Sequence, residues 1–260
     1  MSPDLLHADL GPGARGGFTT RAGGVSAGRY AAARGGGLNL GLHVGDAPAA
    51  VLANRGRLAV AVGAPVAWMD QVHGAEVRVV DGAPQGTSEG ECDALVAAGR
   101  PAGHPDGPVA VAVLVADCVP VLLADAGGRA VAAAHVGRSG LVRGVLAATL
   151  ARLATAGVAP DDLYAAVGPG ICGRCYEVPA ALRTEVDAAV PGTASTTSWG
   201  TPALDLPAGV RHQLAALGVG RLDHVAACTL EDERFYSYRR AGRAPGDATT
   251  GRFAGVVRAR

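Results

Sequence analysis

The chain has 260 residues, of which 49% are hydrophobic and 18% charged, a composition typical of globular proteins and not of disordered or fibrous ones. All 23 basic residues are arginine, which excludes mechanisms that need a lysine, such as a Walker-A phosphate loop or a Schiff base. Because the formal net charge is zero, the chain offers no overall basic field, and we expect no nucleic-acid partner.

The beginning of the chain lacks the apolar core of a signal peptide, and the longest purely apolar run, 109–116, is too short to cross a bilayer. Five cysteines without a secretion signal favour reduced thiols over a disulfide framework. These features predict a cytoplasmic protein without a membrane partner. They do not indicate an oligomeric state.

Apolar residues recur every three or four positions in four segments, and this spacing predicts four helices. The second is predicted as one continuous helix between Ser139, a good N-cap, and Gly157, a good C-terminal stop. The third follows Pro179 and the fourth follows Asp205. The four stripes are Val51, Leu52, Arg55, Leu58 and Val62; Val142, Leu146, Leu150 and Leu153; Leu182, Val186 and Ala189; and Leu206, Val210, Leu214 and Leu217.

Short apolar runs rich in valine predict seven strands. Strands and helices are mixed along the chain without strict alternation. This order predicts an α+β (layered α/β) fold with at least one mixed sheet. The predicted strands are 77–80, 94–96, 109–115, 119–124, 130–134, 163–167 and 253–257.

The fourth and fifth predicted strands flank the turn sequence DAGG at 125–128, so this region is predicted to form a hairpin. If Ala124 pairs with Arg129, then Cys118 lies directly opposite His135, with Cβ atoms about 4.5–5.5 Å apart. Such a pair suits two ligands of one metal ion, or a nucleophile and its base. The alternative is a buried thiol beside a histidine that ends a strand.

Pro120 cannot donate to a strand ladder, so the strand that contains it is predicted to lie at an edge or to be kinked there. A metal site also needs a third ligand. His73, at a strand-to-turn junction in WMDQVHGAEV, is the first choice, and His43 competes with it on spacing. A single CxxC, Cys172 to Cys175, is capable of redox chemistry but lacks a second CxxC for a structural zinc.

Nine segments resemble, in chain order, the laccase-domain or YfiH-type family, which was formerly labelled multicopper polyphenol oxidase. The joint occurrence of the QVHG, ADC and AAH segments is specific to that family, and the matches cover nearly the whole chain. The segments are TTRAGGVSAG (19–28), GGLNLGLHVGD (36–46), NRGRLA (54–59), WMDQVHGAEV (68–77), CDALV (92–96), VADCVPVLL (115–123), AAAHVGRSG (132–140), GPGICGRCYEV (168–178) and TGRFAGVV (250–257).

The resemblance implies two packed mixed β-sheets flanked by helices, in a single domain at 18–260 that follows an N-terminal segment at 1–17. It also implies a zinc ion bound by His73, Cys118 and His135. Three such ligands with an open fourth position are typical of a catalytic zinc site. Copper is compatible with the ligands but disfavoured, since the chain has no HxH motif.

The family is associated with purine nucleoside phosphorylase and adenosine deaminase activities. The resemblance therefore implies a zinc enzyme that acts on adenosine, guanosine or inosine, and methylthioadenosine, with inorganic phosphate as the second substrate. In a deaminase, zinc would activate a water for attack on C6 of adenine. The expected catalytic residues are Cys118 and His135, with Asp93 and Asp117 as proton carriers or, alternatively, as capping and turn residues.

For substrate binding, the matched segments suggest Arg21 as the phosphate ligand, with Ser26 and Asn39 as further polar contacts, although stabilisation of Gly-rich turns explains these residues equally well. Cys175 is expected to line the pocket or to close a turn. Where the family usually has HAGWRG, this chain has HVGRSG, so the role of that arginine passes to Arg138 or is lost.

Three alternatives remain open at this point. A metal-free hydrolase would use Cys118 and His135 on amide or cell-wall precursor substrates, and would survive chelation but not alkylation. A copper-dependent polyphenol oxidase follows from the former family label. A binding protein without enzymatic activity would leave both residues silent.

Overall fold

A computed structural model of the protein describes residues 3–84, 86–99, 107–243 and 248–260. In this part of the chain there are fourteen strands and six α-helices. The strands are Leu5–His7 (β1), Ala14–Thr19 (β2), Ala22–Ser26 (β3), Val66–Ala67 (β4), Val77–Val80 (β5), Ala94–Ala98 (β6), Ala110–Val115 (β7), Val119–Asp125 (β8), Ala130–Val136 (β9), Leu163–Val167 (β10), Ala194–Thr196 (β11), Pro202–Leu204 (β12), Arg221–His224 (β13) and Phe253–Ala259 (β14). The helices are Pro48–Val62 (α1), Arg138–Arg143 (α2), Val145–Thr155 (α3), Ala180–Ala189 (α4), Leu206–Ala216 (α5) and Tyr238–Ala241 (α6).

Two mixed sheets contain most of these strands. The first has the order β1-β2-β14-β7-β4, and the second has the order β13-β10-β8-β9-β6-β5. Each combines antiparallel pairs with parallel ones: β4 is parallel to β7 in the first sheet, and β5 to β6 and β10 to β13 in the second. A separate two-stranded sheet pairs β11 with β12.

The two large sheets pack face to face around a core that includes Phe18, Val113, Leu122 and Phe253. Because side chains alternate between the faces of a strand, the neighbours of Leu122 in β8 point the other way, against helices α2 to α5. Helix α1 covers the outer face of the first sheet. The predicted fold class, two packed mixed sheets flanked by helices in one domain, is confirmed.

All seven predicted strands are present, and Val77–Val80 and Leu163–Val167 match at both ends. The strands that the sequence does not reveal are short or rich in glycine and arginine. β2 reads ARGGFT and runs across the boundary expected between residues 17 and 18, because Gly16 and Gly17 pair with β14. Its place in the sheet depends on that distant partner and not on local apolar alternation.

The helix predicted between residues 139 and 157 is wrong in one respect, because the chain forms two helices there. Gly144 adopts φ +80°, in the left-handed region, and this ends α2 before α3 begins. Ser139 lies inside α2 and does not cap it; the N-cap is Gly137. Val142 therefore leaves the predicted buried stripe and is 42% exposed.

The other three predicted helices are confirmed. α5 begins after Asp205, whose carboxylate accepts a hydrogen bond from the Ala208 backbone N–H at 2.9 Å. In α1, Val51 and Leu58 are fully buried, whereas Leu52 is 47% exposed, since it lies about 100° around the helix from Val51.

The β8–β9 hairpin is present, but its predicted register is wrong by two residues. Ala124 pairs with Val131 and not with Arg129. The cause is Asp125, which stays in β8 and is fully buried. Its carboxylate accepts hydrogen bonds from the Arg129 backbone N–H at 2.8 Å and from the guanidinium of the same residue, and this fixes a turn over 126–129.

In the observed register Pro120 lies opposite His135, and Cys118 precedes the ladder beside Gly137. The strand with Pro120 is also not an edge strand, because β8 lies between β9 and β10. The proline is tolerated because it lies where the β10 ladder ends, and its carbonyl accepts a hydrogen bond from the Gly168 backbone N–H at 2.9 Å.

No helix in the described residues combines the length and the apolar character needed to span a membrane.

Candidate metal centre and cavity

Three side chains from separate segments meet at one end of the second sheet. His73 lies in the loop before β5, Cys118 immediately before β8, and His135 in β9. Their ligand atoms all lie within 4.8 Å of one another. Cys118 Sγ is 3.9 Å from His73 Nε2, and the two imidazole rings meet edge to face with centroids 4.7 Å apart. The spacing is suited to a single metal ion.

Asp93 positions both histidines. Its Oδ1 lies 2.8 Å from Nδ1 of His135, and both side chains are buried. A histidine that donates from Nδ1 to a carboxylate presents the lone pair of Nε2, the arrangement common in metal sites. The same carboxylate accepts hydrogen bonds from the backbone N–H groups of His73 at 2.9 Å and Gly74 at 2.6 Å. All of these contacts are to the two histidines and to Gly74, and Asp93 is not among the residues that line the cavity described below.

The backbone is strained at this centre. Among the described residues, the only two non-glycine residues with positive φ are His73, at 59°, and Asp117, at 95°. Such conformations cost free energy and persist where the surrounding structure enforces them, most often at functional sites. One of them carries a candidate ligand, and the other is the neighbour of Cys118.

The electrostatics of the cluster favour a thiolate. Burial by itself would raise the pKa of Cys118, but His135 and His73 lower it to about 6. Burial would lower the pKa of His135, but Cys118 and Asp93 raise it to about 9. Without a metal ion, the thiol therefore ionises readily beside an imidazolium, and the thiolate is the form that binds metals.

The donor set fits zinc. Two imidazole nitrogens and one thiolate are ligands that Zn²⁺ prefers, and three protein ligands leave a fourth position for substrate or water. Gly137 leaves room beside them, since a Cβ there would lie 3.0 Å from Cδ2 of His73 and 3.1 Å from Sγ of Cys118 and would crowd both side chains.

The cluster lies on the wall of a cavity of about 390 Å³, a size in the usual range for small-molecule sites. Part of the wall is apolar and part is polar. Burial, followed by the charges of Arg252 and Arg55, lowers the pKa of His43, so this imidazole is neutral at pH 7. The remaining lining residues are Met69, Gln71, Leu114, Val115, Ala116, Asp117, Arg138, Ile171, Tyr176, Leu206, Tyr238, Arg239 and Arg252.

Three arginines, Arg138, Arg239 and Arg252, supply positive charge to the cavity. Arg239 lies over the ring of Tyr176 at 5.2 Å, and Arg252 donates to the Thr250 carbonyl at 2.9 Å. Within the described ranges, none of the three forms an ion pair with a carboxylate. Arg239 also donates to the Glu177 carbonyl at 3.1 Å. Guanidinium groups on a cavity wall that lack a carboxylate partner are suited to an anionic ligand.

Three residues expected to bind substrate lie outside the cavity lining. Arg21 donates to the Ala31 carbonyl at 2.5 Å. Ser26 is buried and accepts a hydrogen bond from Nδ2 of Asn54 at 2.9 Å. Asn39 is also buried; its amide bonds to the Gly41 backbone and the Asp46 carboxylate, and its Oδ1 accepts a hydrogen bond from the Arg252 backbone N–H at 2.9 Å. The contacts are those of residues that hold a glycine-rich loop in place, which was the alternative interpretation.

Two other candidates also hold structure together. Asp117 lines the cavity, but its carboxylate accepts hydrogen bonds from Thr229 Oγ1 at 2.6 Å and from the Arg239 backbone N–H at 2.7 Å. Both oxygens are therefore occupied by protein donors. Cys175 is only 2% exposed and does not line the cavity; its backbone N–H donates to the Cys172 carbonyl at 2.9 Å, so it closes a turn, the other role expected for it.

The sequence analysis did not identify Arg239, Arg252 or the tyrosines of the cavity. Arg252 lies in the TGRFAGVV segment, so the family resemblance contained a signal for it. Arg239 is one of many arginines in the chain, and no local pattern distinguishes it from the others. His43 lines the cavity but is not part of the three-residue cluster.

A family model described as "Multi-copper polyphenol oxidoreductase laccase" matches residues 15–260. Curated relatives carry the name purine nucleoside phosphorylase. One from Streptomyces griseus is 52% identical over 245 residues, which are 92% of each chain. Another from Mycobacterium tuberculosis is 48% identical over 242 residues, 92% of this chain and 89% of the relative.

Two solved structures are similar over nearly the whole chain. YlmD from Geobacillus stearothermophilus has a TM-score of 0.81 at 31% identity and covers 99% of both chains. The Neisseria meningitidis protein NMB0706 has a TM-score of 0.78 at 36% identity, with coverage of 97% of this chain and 98% of the other.

Proposed function

The chain belongs to the family described as multi-copper polyphenol oxidoreductase laccase, and from this premise we propose that it is a zinc-dependent purine nucleoside phosphorylase. One observation carries the proposal: a His–Cys–His cluster and three arginines that form no ion pair with a carboxylate among the described residues line the same cavity. The name of the curated relatives supports it. Adenosine, inosine, guanosine and methylthioadenosine are the candidate nucleosides.

In phosphorolysis, an oxygen of inorganic phosphate attacks C1′ of the ribose. The bond between C1′ and N9 breaks, and its electron pair leaves with the purine, which takes up a proton. The products are a purine base and ribose 1-phosphate. The protein must bind a phosphate and keep out water that would hydrolyse the same bond. We assign the first task to Arg138, Arg239 and Arg252, and the second to the apolar wall.

His73, Cys118 and His135 would hold the zinc ion, which would supply Lewis-acid polarisation at the cavity wall. Asp93 keeps Nε2 of His135 directed at that position through the bond to Nδ1. His43, neutral at pH 7, offers one N–H donor and one acceptor to the purine.

The first experiment measures zinc content together with product formation. The wild-type protein is expected to cleave adenosine only when phosphate is present, to adenine and ribose 1-phosphate, and to lose this activity and the cluster's zinc in His73→Ala and Cys118→Ala. Phosphate-independent release of the base would contradict phosphorolysis. Formation of inosine from adenosine would reveal deamination in the same assay.

Arg138 offers a sharper test of the phosphate site, because it donates no hydrogen bond to another described residue. Arg138→Met is expected to raise the KM for phosphate by about 10- to 100-fold, the loss of one charge-assisted hydrogen bond, with little change in the KM for nucleoside. Arg143→Met, on the same helix but exposed, is the matched control. Equal changes in the KM for phosphate in the two variants would show that Arg138 does not bind the phosphate.

A metal-free hydrolase is the second candidate, because Cys118, His135 and Asp93 form the nucleophile–base–orienter arrangement of cysteine hydrolases. Its activity would survive removal of the metal by a chelator and would be abolished by alkylation of Cys118. The zinc enzyme is expected to be inactivated by the chelator and restored by added Zn²⁺.

A copper oxidase ranks third. The described residues contain one cluster with two histidines, and the sequence has no HxH motif of the kind that multicopper centres use. Copper binding in solution would not by itself support this function, because Cu²⁺ outcompetes Zn²⁺ at most nitrogen and sulfur sites. Oxidation of a phenol at a rate dependent on copper would be needed.

A further inference from the structure

A second group of side chains that could hold a metal ion lies behind the cavity wall and is not part of its lining. Cys172, Cys175, Cys228 and Glu231 bring their ligand atoms within 4.8 Å of one another. The proposed reaction uses none of them. All four come from two loops, one after β10 and one after β13, which meet side by side where Gly170 pairs with Cys228.

Both loops form the same tight turn. The Cys172 carbonyl accepts a hydrogen bond from the Cys175 N–H at 2.9 Å, and the Cys228 carbonyl accepts one from the Glu231 N–H at 3.1 Å. Each turn thus presents its first and fourth residues. Zinc knuckles place their ligands at this C-x₂-C spacing. The CxxC that stood alone in the sequence therefore faces a CxxE, which supplies the missing half.

The surroundings suit a buried ion. Cys175 is buried with Ile171 and Leu230, which form the apolar side of the cluster, while the side that carries Glu231 faces solvent. The Cys172 backbone N–H lies 3.4 Å from Sγ of Cys228. A backbone donor of this kind orients the sulfur of a metal ligand.

We propose that Cys172, Cys175, Cys228 and Glu231 bind a second, structural zinc ion. Tetrahedral zinc with bonds of about 2.3 Å to sulfur places sulfur atoms about 3.8 Å apart, so the four side chains need only small rotations to close on the ion. Four protein ligands complete the coordination. The first cluster has three and leaves a position open, so the two ions have different roles.

The second ion would stabilise the wall of the cavity. The Ile171 backbone N–H donates to the Asp117 carbonyl at 2.9 Å, and Thr229 Oγ1 donates to the carboxylate of the same residue at 2.6 Å. Asp117 has the strained φ of 95° and precedes Cys118. An ion that joins the two loops holds these two donors to Asp117 in place, and through Asp117 the thiolate of the first site.

The test counts zinc per chain in the full-length protein purified under reducing conditions without added metal. The wild type is expected to hold two ions, one for each cluster. Cys118→Ala and Cys172→Ser should each lose one, and the double variant both. Glu231→Gln should weaken retention of the second ion, whereas Glu233→Gln, an exposed acid two residues away, is the matched control and should not.

Cobalt substitution identifies which thiols bind. In the Cys118→Ala protein loaded with Co²⁺, the thiolate charge-transfer band should have the intensity of three thiolates. When Cys172→Ser is added to the same protein, the intensity of this band should fall. A single ion in the wild type that Cys118→Ala removes would overturn the proposal, as would a second ion that Cys172→Ser leaves in place. Two ions without phosphorolysis would instead contradict the proposed function and leave this site standing.

Discussion

The Cys118 thiol lies between two imidazoles, and its pKa of about 6 is well below that of an ordinary cysteine. Because the pKa of this acid is lowered, the folded protein stabilises the charged form, the thiolate. An ordinary thiol is mostly protonated below about pH 8.5, whereas Cys118 stays ionised until the pH falls through about 6. Metal-free protein should therefore contain a reactive thiolate at neutral pH.

We expect the alkylation rate of Cys118 in the chelated protein to rise with a midpoint near pH 6. His73→Ala should move the midpoint upward, because His73 contributes to the lowered pKa. Added Zn²⁺ should protect the thiol. The rate is followed by mass spectrometry of the peptide that contains Cys118, and the same peptide from urea-unfolded protein is the reference. A midpoint near 8.5 in the folded protein would show that the imidazoles do not act on the thiol.

Much of this residue-scale arrangement could be expected from sequence, but not all of it. The motifs around His73, Cys118 and His135 nominate the cluster. The bond from Asp93 to His135 joins residues 42 positions apart, and no local pattern specifies it. The CxxE half of the second cluster is missed for the same reason: a glutamate three residues after a cysteine has no meaning until the CxxC loop lies beside it.

At the scale of elements, Gly144 decides how the helical region after β9 is divided. It ends α2 and caps α3 with φ +80°, and nothing lies within 4 Å of the position that a Cβ would take. A side chain there would meet no neighbour, so any cost of substitution comes from the backbone conformation alone.

Gly144→Ala is expected to lower the free energy of unfolding by about 1–2 kcal/mol, the cost of a left-handed conformation for a residue with a Cβ. Gly56→Ala is the matched control: Gly56 lies inside α1, also with nothing within 4 Å, and the change should stabilise by about 0.5–1 kcal/mol. Urea denaturation measures both. If both substitutions changed the free energy of unfolding in the same direction, the difference in φ between the two glycines would not explain the result.

The register of the β8–β9 hairpin also depends on a single residue. Its two strands are evident in the sequence, but its register depends on whether Asp125 belongs to the strand or to the turn. A turn signal such as DAGG leaves this open. The ion pair with Arg129 settles it, because a buried carboxylate needs its partners. The periodicity of apolar residues predicts elements well, while single polar contacts decide where they begin and end.

At the scale of the whole molecule, Phe18 joins the two sheets. It is fully buried in the core between them, and a Cβ at Gly255 would lie 3.1 Å from its ring. Phe18→Ala should lower the free energy of unfolding by about 3–5 kcal/mol, through lost apolar burial and the cavity left behind. Leu52→Ala, at an exposed position of α1, should change it by about 0.5 kcal/mol or less. Guanidinium denaturation compares the two, and similar losses would mean that Phe18 is not a core residue.

The fold class follows from the mixture of elements, but the strand order does not. In the first sheet β14 lies between β2 and β7, and the local sequence of β14 does not predict which strands pair with it. Only the arrangement of the whole core selects them. For this reason the two packed sheets could be anticipated from the family resemblance, whereas the short strands that the sequence analysis did not predict could not be found from the periodicity of apolar residues.

The position of β14 also governs how the protein can be made. The Ala254 N–H and the Thr19 hydroxyl that bond across β14 and β2 are 235 positions apart in the chain. At a translation rate of about 5–20 residues per second, β2 leaves the ribosome roughly 10–50 s before its partner exists. During that interval the newborn β1–β2 hairpin has an open edge, which favours aggregation. The first sheet can therefore be completed only late in synthesis. The yield of native protein should depend on the speed of translation and on chaperones that cover the unpaired edge of β2.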